Sequence, residues 1–282
     1  MMKEIVVATD LSPRAARALE RAALLAKEQG AHLTVVSAVD DALPADMARD
    51  MAERAKAKID HQLQVLAQKN GFKATSRIVF GRHFEAILDA ANDARADLLV
   101  LGRHRQGQVR ELFRGSTGER VIRYGRLPVL LVRNIARKPY KRILIGADFS
   151  PASERAAGFA CQHFKDAGLE ICHAFDMAFA GLVGGVRKGS KRTAKDEAAI
   201  AAMVEEEKRY FLKRLGKPAQ SLRFHHVIGQ AEEVLRQQVR RRKPDLLVLG
   251  THGRGALARA VIGSVAENFL RDPPCDVLVV RR

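Results

Sequence analysis

The sequence has few of the residues that mark disulfide scaffolds, membrane spans or base-stacking surfaces. Tryptophan is absent, and the 282 residues include three tyrosines and three cysteines. An odd number of cysteines at unrelated spacings fits neither a disulfide framework nor a zinc site, so we predict buried thiols. No apolar run approaches the ~20 residues that span a bilayer. The composition therefore predicts a globular protein without membrane insertion.

Acidic residues are also fewer than basic ones. Lysine and arginine number 49 against 32 aspartates and glutamates, which gives a net charge of +17. The excess is spread evenly over both halves of the chain, and no RNA- or DNA-binding motif accompanies it. We therefore expect a basic surface that attracts nucleotides or other polyanions, and no specific nucleic acid partner. The N-terminal residues lead into a strand pattern without the features of a signal peptide, so a cytoplasmic location is expected.

Several catalytic patterns are missing. No glycine, four residues, glycine-lysine-serine/threonine run is present, which excludes a P-loop NTPase. His225 and His226 are adjacent, but neighbouring residues of a strand point to opposite faces, so they make a poor two-ligand metal site. His104 and His252 have no recognisable partner that would orient a general base. We therefore predict no catalytic residues and no metal site.

One sequence unit occurs twice in the chain. Three of its four matched segments share a common offset, which chance does not produce. The repeat predicts two domains, 1–138 and 139–282, joined by a short basic linker near Asn134–Tyr140. The matched segments are 5–13 with 143–151, 96–102 with 244–250, 115–120 with 263–268, and 129–133 with 277–281.

Each unit alternates apolar strand patterns with helical patterns. Continuous apolar runs such as 98–101 indicate strands covered on both faces, as in a parallel sheet. Ser12-Pro13 and Ser150-Pro151 are helix-start signals, with serine as the cap and proline in the first turn. The alternation predicts an α/β fold, with two doubly wound, five-stranded parallel sheets of Rossmann-like form in tandem. For the first copy we predict strands near 3–9, 32–38, 74–80, 97–101 and 128–132, and helices near 13–29, 45–70, 83–95 and 116–125.

A glycine-rich segment follows the fourth strand of the second copy. Such segments emerge where open parallel sheets bind ligands, and glycines let backbone amides approach phosphate oxygens. The spacing is glycine, two residues, glycine, nine residues, glycine-serine, formed by Gly250, Gly253, Gly263 and Ser264. In this spacing and in both halves of the chain, the sequence resembles the universal stress protein family, whose fold is similar to that of the adenine nucleotide alpha hydrolases.

The resemblance implies ATP, with or without Mg²⁺, as the ligand of the second copy. Asp148, with the backbone of Ala147, would contact the ribose or adenine, and Ala174 would line the adenine pocket. The residues implied around the phosphates are Gly250, Gly253, Gly263, Ser264 and Val265. Structural alternatives remain: Asp148 can support a helix start, the two first glycines can serve a tight turn, and Ser264 with Glu267 reads as a capping box.

The first copy departs from the family pattern. Arg105 stands where the middle glycine belongs, and its side chain restricts φ and fills space that a phosphate needs. The residues that it retains are Asp10, Ala38, Gly102, Gly115 and Ser116. We therefore expect a degenerate site in this copy, with a different anion as the alternative. The second copy also contains a glycine-rich basic stretch near Phe179–Ser190, which is either a loop over the ligand or a neutral insertion.

The resemblance implies an ATP-binding protein of the stress response that acts by conformation or assembly, with slow ATP hydrolysis at most. The alternatives are a binding module for a lipid, a cyclic nucleotide or a protein partner that retains a relic loop, and an adenylate-forming or ATP-cleaving enzyme. Val129–Val132 and Val277–Val280 are the last strands of their copies and should lie at sheet edges. Because bare edges invite pairing, we predict that they pair with each other, giving an intramolecular pseudo-dimer; independent edges are the alternative, and a homodimer is left open.

Overall fold

The computed structural model describes residues 1–103, 117–175, 194–216, 222–251 and 262–281. The helices are α1 Pro13–Gln29, α2 Ala45–Asn70, α3 His83–Asp93, α4 Thr117–Tyr124, α5 Pro151–His163, α6 Ala194–Leu215, α7 Ala231–Arg242 and α8 Ser264–Arg271. The strands are β1 Glu4–Ala8, β2 His32–Val39, β3 Ala74–Phe80, β4 Leu98–Gly102, β5 Val129–Val132, β6 Arg142–Ala147, β7 Gly168–Phe175, β8 Arg223–Ile228, β9 Leu246–Gly250 and β10 Asp276–Val280. Within these residues, no helix is long and apolar enough to cross a membrane.

The ten strands form one continuous sheet. Its order is β3-β2-β1-β4-β5-β10-β9-β6-β7-β8, and each half is a five-stranded parallel sheet of the predicted doubly wound type. The halves meet where β5 pairs antiparallel with β10, with Leu130 opposite Leu278. The predicted edge-to-edge pairing is therefore present, and it relates the two halves by a pseudo-two-fold axis.

Each face of the sheet is covered by helices over an apolar core. Ile5 and Val7 of β1 point into one core, whereas Val6 points into the other, as the pleat of a strand requires. Both cores contain residues from both halves; Val100 and Val248, for example, lie in the same one. Full burial of such a side chain stabilises the fold by roughly 1.5–3 kcal/mol. Separation of the halves would expose part of both cores.

The two helix starts after β1 and β6 are built alike. Ser12 Oγ accepts a hydrogen bond from Ala15 N, and Ser150 Oγ accepts one from Ser153 N, both at 3.2 Å. The preceding residues, Leu11 and Phe149, both have a φ of 61°, in the left-handed region that side chains rarely adopt. Such backbone conformations cost energy and are concentrated at functional sites.

The linker between the halves is fixed by a buried carboxylate. Asp276 is fully buried and accepts hydrogen bonds from the Tyr140 hydroxyl at 2.6 Å and from the amides of Arg133 and Asn134 at 2.9 Å. Arg21 Nε lies 3.5 Å from the same carboxylate. Burial, reinforced by the charge of Asp276, raises the pKa of Tyr140 well above its usual range. The network ties α1, the linker and β10 together.

Candidate functional site

A cavity of about 270 Å³ opens at the carboxyl ends of β6, β7 and β9. Seven of the eight site residues predicted from the sequence line it, and the eighth, Gly253, lies outside the described residues. The predicted residues in its wall are Ala147, Asp148, Ala174, Gly250, Gly263, Ser264 and Val265. The predicted residues thus come from four separate segments of the chain and lie around one space.

Small residues make this space. Gly146, Ala147, Cys172 and Ala174 contribute little volume at the ends of β6 and β7. A Cβ atom at Gly146 would lie 2.7 Å from Leu249 Cδ2, inside van der Waals contact. The mainly apolar wall suits an apolar ring, and larger side chains here would fill the cavity.

Asp148 has a structural contact as well as a place in the cavity wall. Its Oδ1 accepts hydrogen bonds from Ser150 N at 3.1 Å and Ser150 Oγ at 2.5 Å. In the first half, Asp10 Oδ1 accepts one from Ser12 N at 2.9 Å. The helix-start role that the sequence left open is therefore present in both halves. It does not compete with ligand contact, because a carboxylate has two oxygens with several lone pairs.

Gly250 is also required by packing. A Cβ atom there would lie 2.7 Å from the carbonyl carbon of Ala152 and 2.9 Å from Ser153 N. At the equivalent Gly102, a Cβ atom would lie 2.9 Å from Arg14 O. The first glycine of the signature thus lets a helix start approach the strand end in both halves. Its presence alone does not distinguish a binding half from a non-binding one.

The amino end of α8 faces the cavity. Gly263 is the cap, Ser264 is the first helical residue, and within the described residues no side chain caps this end. The capping box that the sequence offered as an alternative for Ser264 is not formed, because the cap is Gly263 and Glu267 accepts a hydrogen bond from Arg271. Gly263 N donates to Thr251 O at 2.6 Å, which fixes the approach of the chain. The first-turn amides of a helix have no acceptor within it, so they are available to an anion.

The cavity wall contains one thiol among its described residues, that of Cys172. Burial raises the pKa of Cys172 to about 11, so this wall residue is a neutral thiol rather than a nucleophile. Cys161 and Cys275 are also buried free thiols, as predicted. Among the described residues, no group of three or more His, Cys, Asp or Glu side chains could hold a metal ion. His104 and His252 lie outside those residues.

His225 and His226 point to opposite faces of the sheet, as the sequence pattern predicted. His225 Nε2 lies 3.0 Å from Glu170 Oε2, which also accepts a hydrogen bond from Arg242. His226 Nδ1 lies 3.0 Å from His173 Nδ1 on the other face. The adjacent pair therefore does not form a joint ligand set.

Sequence reasoning missed part of the wall. Cys172 could have been predicted, because it lies two residues before Ala174 and such residues lie on the same face of a strand. Ala231 and Leu235 of α7 are four residues apart on one helix face, but nothing in their types indicates a binding role. Thr251 is 1% exposed, and its position after Gly250 carries no motif of its own.

The corresponding end of the first half has larger, basic residues. Arg103 occupies the place of Thr251, and its guanidinium lies 3.6 Å from Asp272 of the second half. His83 occupies the place of Ala231 at the start of the following helix. The departures expected from the sequence at Arg105, and the retained Gly115 and Ser116, lie outside the described residues, as does the stretch 179–190.

Comparison with known proteins bears on both halves. The model of the universal stress protein family matches residues 1–133 and again 139–281. A universal stress protein of Thermus aquaticus is 36% identical over 138 residues, which is 47% of this chain and 100% of that protein. A universal stress protein of Mycobacterium tuberculosis is 24% identical over 295 residues, covering 98% of this chain and 96% of its own length.

Solved structures show the same two-domain fold. A universal stress protein from Archaeoglobus fulgidus superposes with a TM-score of 0.70 at 19% identity, covering 99% of this chain and 98% of its own. A protein from Pseudomonas aeruginosa described as functionally unknown gives 0.71 at 19% identity, with 99% and 92% covered. With the family matched twice, in tandem and over nearly the whole length, the chain belongs to the universal stress protein family.

Proposed function

We propose that the second half binds ATP, with or without Mg²⁺, and that the chain acts in the cytoplasm as a stress-response binding protein. The observation that carries the proposal is the convergence of Ala147, Asp148, Ala174, Gly250, Gly263, Ser264 and Val265 on one cavity. Gly250, Gly263 and Ser264 belong to the glycine spacing of the sequence, and the other four residues are those that the family resemblance implies. The buried free thiols are consistent with a reducing compartment.

Each part of the cavity fits one part of the nucleotide. The small residues at the ends of β6 and β7 leave a mainly apolar space for the adenine ring. Asp148 lines the same cavity, and its carboxylate can accept a hydrogen bond from a ribose hydroxyl. The amino end of α8 offers backbone amides and the positive end of the helix dipole to the phosphates. The net positive charge of the chain favours the approach of such an anion.

The site is also connected to the other half. α8, whose first residues line the cavity, packs against α4 of the first half. Arg281 of the second half donates hydrogen bonds to the carbonyls of Ile122 and Gly125 at the end of α4. A ligand bound at the amino end of α8 therefore acts on a helix of the second half that also contacts the first half. This contact gives the proposed signalling by conformation a physical route.

Calorimetric titration with ATP tests the binding site through a matched pair of variants. Ala174→Leu places a large side chain in the adenine slot, and Ala38→Leu makes the same change at the equivalent position of β2. We expect Ala174→Leu to weaken ATP binding at least about 100-fold, the loss of roughly 2.7 kcal/mol, while Ala38→Leu leaves it within threefold.

Circular dichroism would first confirm that both variants are folded. Unchanged ATP affinity in a folded Ala174→Leu chain would show that the nucleotide does not occupy this cavity. Absence of ATP binding by the wild type, together with capture of a lipid or a cyclic nucleotide, would replace the proposal by the relic-loop alternative.

A further inference from the structure

One end of the second half has a dense group of positive charges. Its cations lie where β6, β8 and β9 begin and where α7 ends, and we call the group the basic patch. Its members are the exposed Lys141, Arg142, Arg223, Arg240, Arg241 and Lys243 and the partly buried Arg242. The cavity lies at the opposite, carboxyl ends of the strands, so the patch is not part of the proposed nucleotide site.

Strand register brings the members of the patch together. Arg142 of β6 is paired with Gly168 of β7, and Glu170 of β7 is paired with Arg223 of β8. Since β7 lies between them, β6 and β8 are about 10 Å apart, which is two strand spacings. The end of α7 lies over the same strands, because Arg242 donates a hydrogen bond of 2.6 Å to Glu170. The seven cations therefore belong to one region of the surface.

Glu170 does not neutralise the patch. Its side chain is 25% exposed and already contacts three basic groups. Besides Arg242, the imidazole of His225 lies 3.0 Å away and the guanidinium of Arg223 lies 3.9 Å away. The Arg223 side chain is 81% exposed, so its charge faces solvent beyond this contact.

Asp245 is the other carboxylate of this end, and it is engaged as well. It accepts hydrogen bonds of 2.9 Å from the amides of Lys141 and Arg142, and it lies 3.6 Å from the Arg142 guanidinium. The loop before β7 adds one charge of each sign, those of Lys165 and Asp166. Within the described parts of the chain, no carboxylate forms an ion pair with Arg240, Arg241 or Lys243. The seven cations and two carboxylates leave a local charge of +5.

The equivalent end of the first half has no such excess. At the same nine positions its charged residues are Lys3 and Arg95 against Glu4, Asp93 and Asp97, a local charge of −1. Asp97 accepts hydrogen bonds from the amides of Lys3 and Glu4, just as Asp245 does in the second half. The backbone arrangement is therefore common to both halves, whereas the positive charge is specific to the second.

The fold does not require these charges. Cations in the last turn of a helix interact favourably with its dipole, yet α3 has no basic residue in its last turn. Both helices are followed by the same turn, with a φ of 52° at Arg95 and 49° at Lys243. Like charges on neighbouring positions of a helix repel one another, so the Arg240–Lys243 run costs stability in the free protein. A polyanion bound there would offset that repulsion.

The side chains of the patch indicate the class of polyanion. Five of the seven are arginines, whose planar guanidinium binds phosphate through paired hydrogen bonds. No large exposed apolar side chain of the described residues belongs to the patch, and Phe224 beside Arg223 packs against the core. The patch thus has neither the second signal that stable membrane attachment needs nor a ring on which bases stack. The phosphate backbone of a nucleic acid can be bound through charge alone.

We propose that the basic patch binds the phosphate backbone of a nucleic acid without reading its sequence. This function goes beyond nucleotide binding in the cavity and does not depend on it. Contacts to phosphates position a protein on a nucleic acid but carry no sequence information. The patch gives a location to the polyanion-attracting surface that the composition predicts.

Salt-dependent binding to DNA tests the proposal. The full-length protein is titrated against two short labelled duplexes of unrelated sequence, and fluorescence anisotropy gives Kd between about 50 and 200 mM NaCl. If the six exposed cations contact phosphates, the slope of log K against log salt should be about −5 for both duplexes. The double variant Arg240→Gln, Arg241→Gln should reduce the steepness of this slope by about 2 and weaken binding at least about tenfold.

The control variant removes the same charge elsewhere. Arg49→Gln with Lys58→Gln neutralises two exposed cations of α2 in the first half, and it should leave the slope unchanged and Kd within about threefold. Circular dichroism confirms that both variants are folded. Calorimetry with ATP on the same proteins keeps the two proposals separate, since neither variant should change ATP affinity and loss of the ATP site would leave the DNA test intact.

Three results would overturn the proposal. The first is absence of duplex binding by wild type at the lowest salt concentration. The second is an equal loss of affinity in the two variants, which would assign binding to the net charge of the chain. The third is binding to phosphatidylserine vesicles that requires Arg240 and Arg241 while the duplexes do not bind, which would assign the patch to a membrane surface.

Discussion

At the carboxyl end of β1 the chain reads Asp10-Leu11-Ser12-Pro13, and at the carboxyl end of β6 it reads Asp148-Phe149-Ser150-Pro151. Both turns have the same aspartate-to-serine hydrogen bond, the same left-handed residue and the same serine cap. Each is also approached by a glycine that the packing of the next helix requires. The halves differ in the side chains around this shared turn and its packing glycine. The two halves thus share the elements that the fold needs and differ in the side chains at the carboxyl ends of their strands.

A proline at the junction of the halves should have the largest effect. Leu278 lies in the middle of β10, which pairs with β9 on one side and β5 on the other. Leu278→Pro removes a backbone donor from a central strand and should cost more than about 5 kcal/mol, a large part of a typical domain's stability. Denaturant unfolding measures this, with the conservative Leu278→Val as the control. Cooperative unfolding of Leu278→Pro near the wild-type midpoint would mean that the halves do not share this strand pair.

Removal of the buried carboxylate at the linker should come next. Asp276→Ala leaves Arg21 and two linker amides without their acceptor, and we expect a loss of about 3–5 kcal/mol in the free energy of unfolding. Asp272→Ala is the control, because the Asp272 side chain is 71% exposed and forms long ion pairs with Arg103 and Arg236. It should change the free energy of unfolding by less than about 1 kcal/mol. Similar values for the two variants would show that the Asp276 network does not hold the linker.

The two packing glycines should respond equally to substitution. Gly102→Ala and Gly250→Ala each place a Cβ atom within 3 Å of helix backbone, so each should destabilise the chain by about 1–3 kcal/mol. Thermal unfolding compares them. If only Gly250→Ala lowers the stability, the first half tolerates a Cβ atom at Gly102. The packing requirement would then not be common to the two halves.

The aspartates should separate the halves by function. Asp148→Ala should weaken ATP binding by about 1–3 kcal/mol through a lost hydrogen bond, whereas Asp10→Ala should leave it unchanged. Both should cost similar stability, since both support a helix start. Calorimetry with ATP and parallel melting curves give the two readouts. Equal ATP affinity in Asp148→Ala and wild type would reduce Asp148 to its structural role.

Much of the fold could be predicted, because its determinants are local or repeated. Serine-proline pairs predicted the starts of α1 and α5, and continuous apolar runs predicted the strands buried on both faces. The pairing of β5 with β10 followed from the need to cover an apolar edge. The Asp276 network could not be predicted, since its partners are up to 255 residues away in the sequence and no local pattern marks them.

The residues of the candidate site could also be predicted only in part from the sequence. The glycine spacing predicted Gly250, Gly263 and Ser264, which line the cavity. The helix cap is Gly263 rather than Ser264, because glycine can cap a helix as serine does. Leu235 and Ala231 reach the cavity only through the packing of α7 on the sheet. The His173–His226 contact depends on strand register, which periodicity alone does not give.

The stoichiometry of ATP binding tests the central claim most directly. Calorimetric titration of the full-length chain should give one ATP per chain, held by the second half. Gly253→Arg, which copies Arg105 of the first half, should abolish that binding in a folded protein. Two sites per chain would contradict the divergence of the halves, and a Gly253→Arg chain that binds ATP within about threefold of wild type, a difference under ~0.7 kcal/mol, would contradict the phosphate assignment.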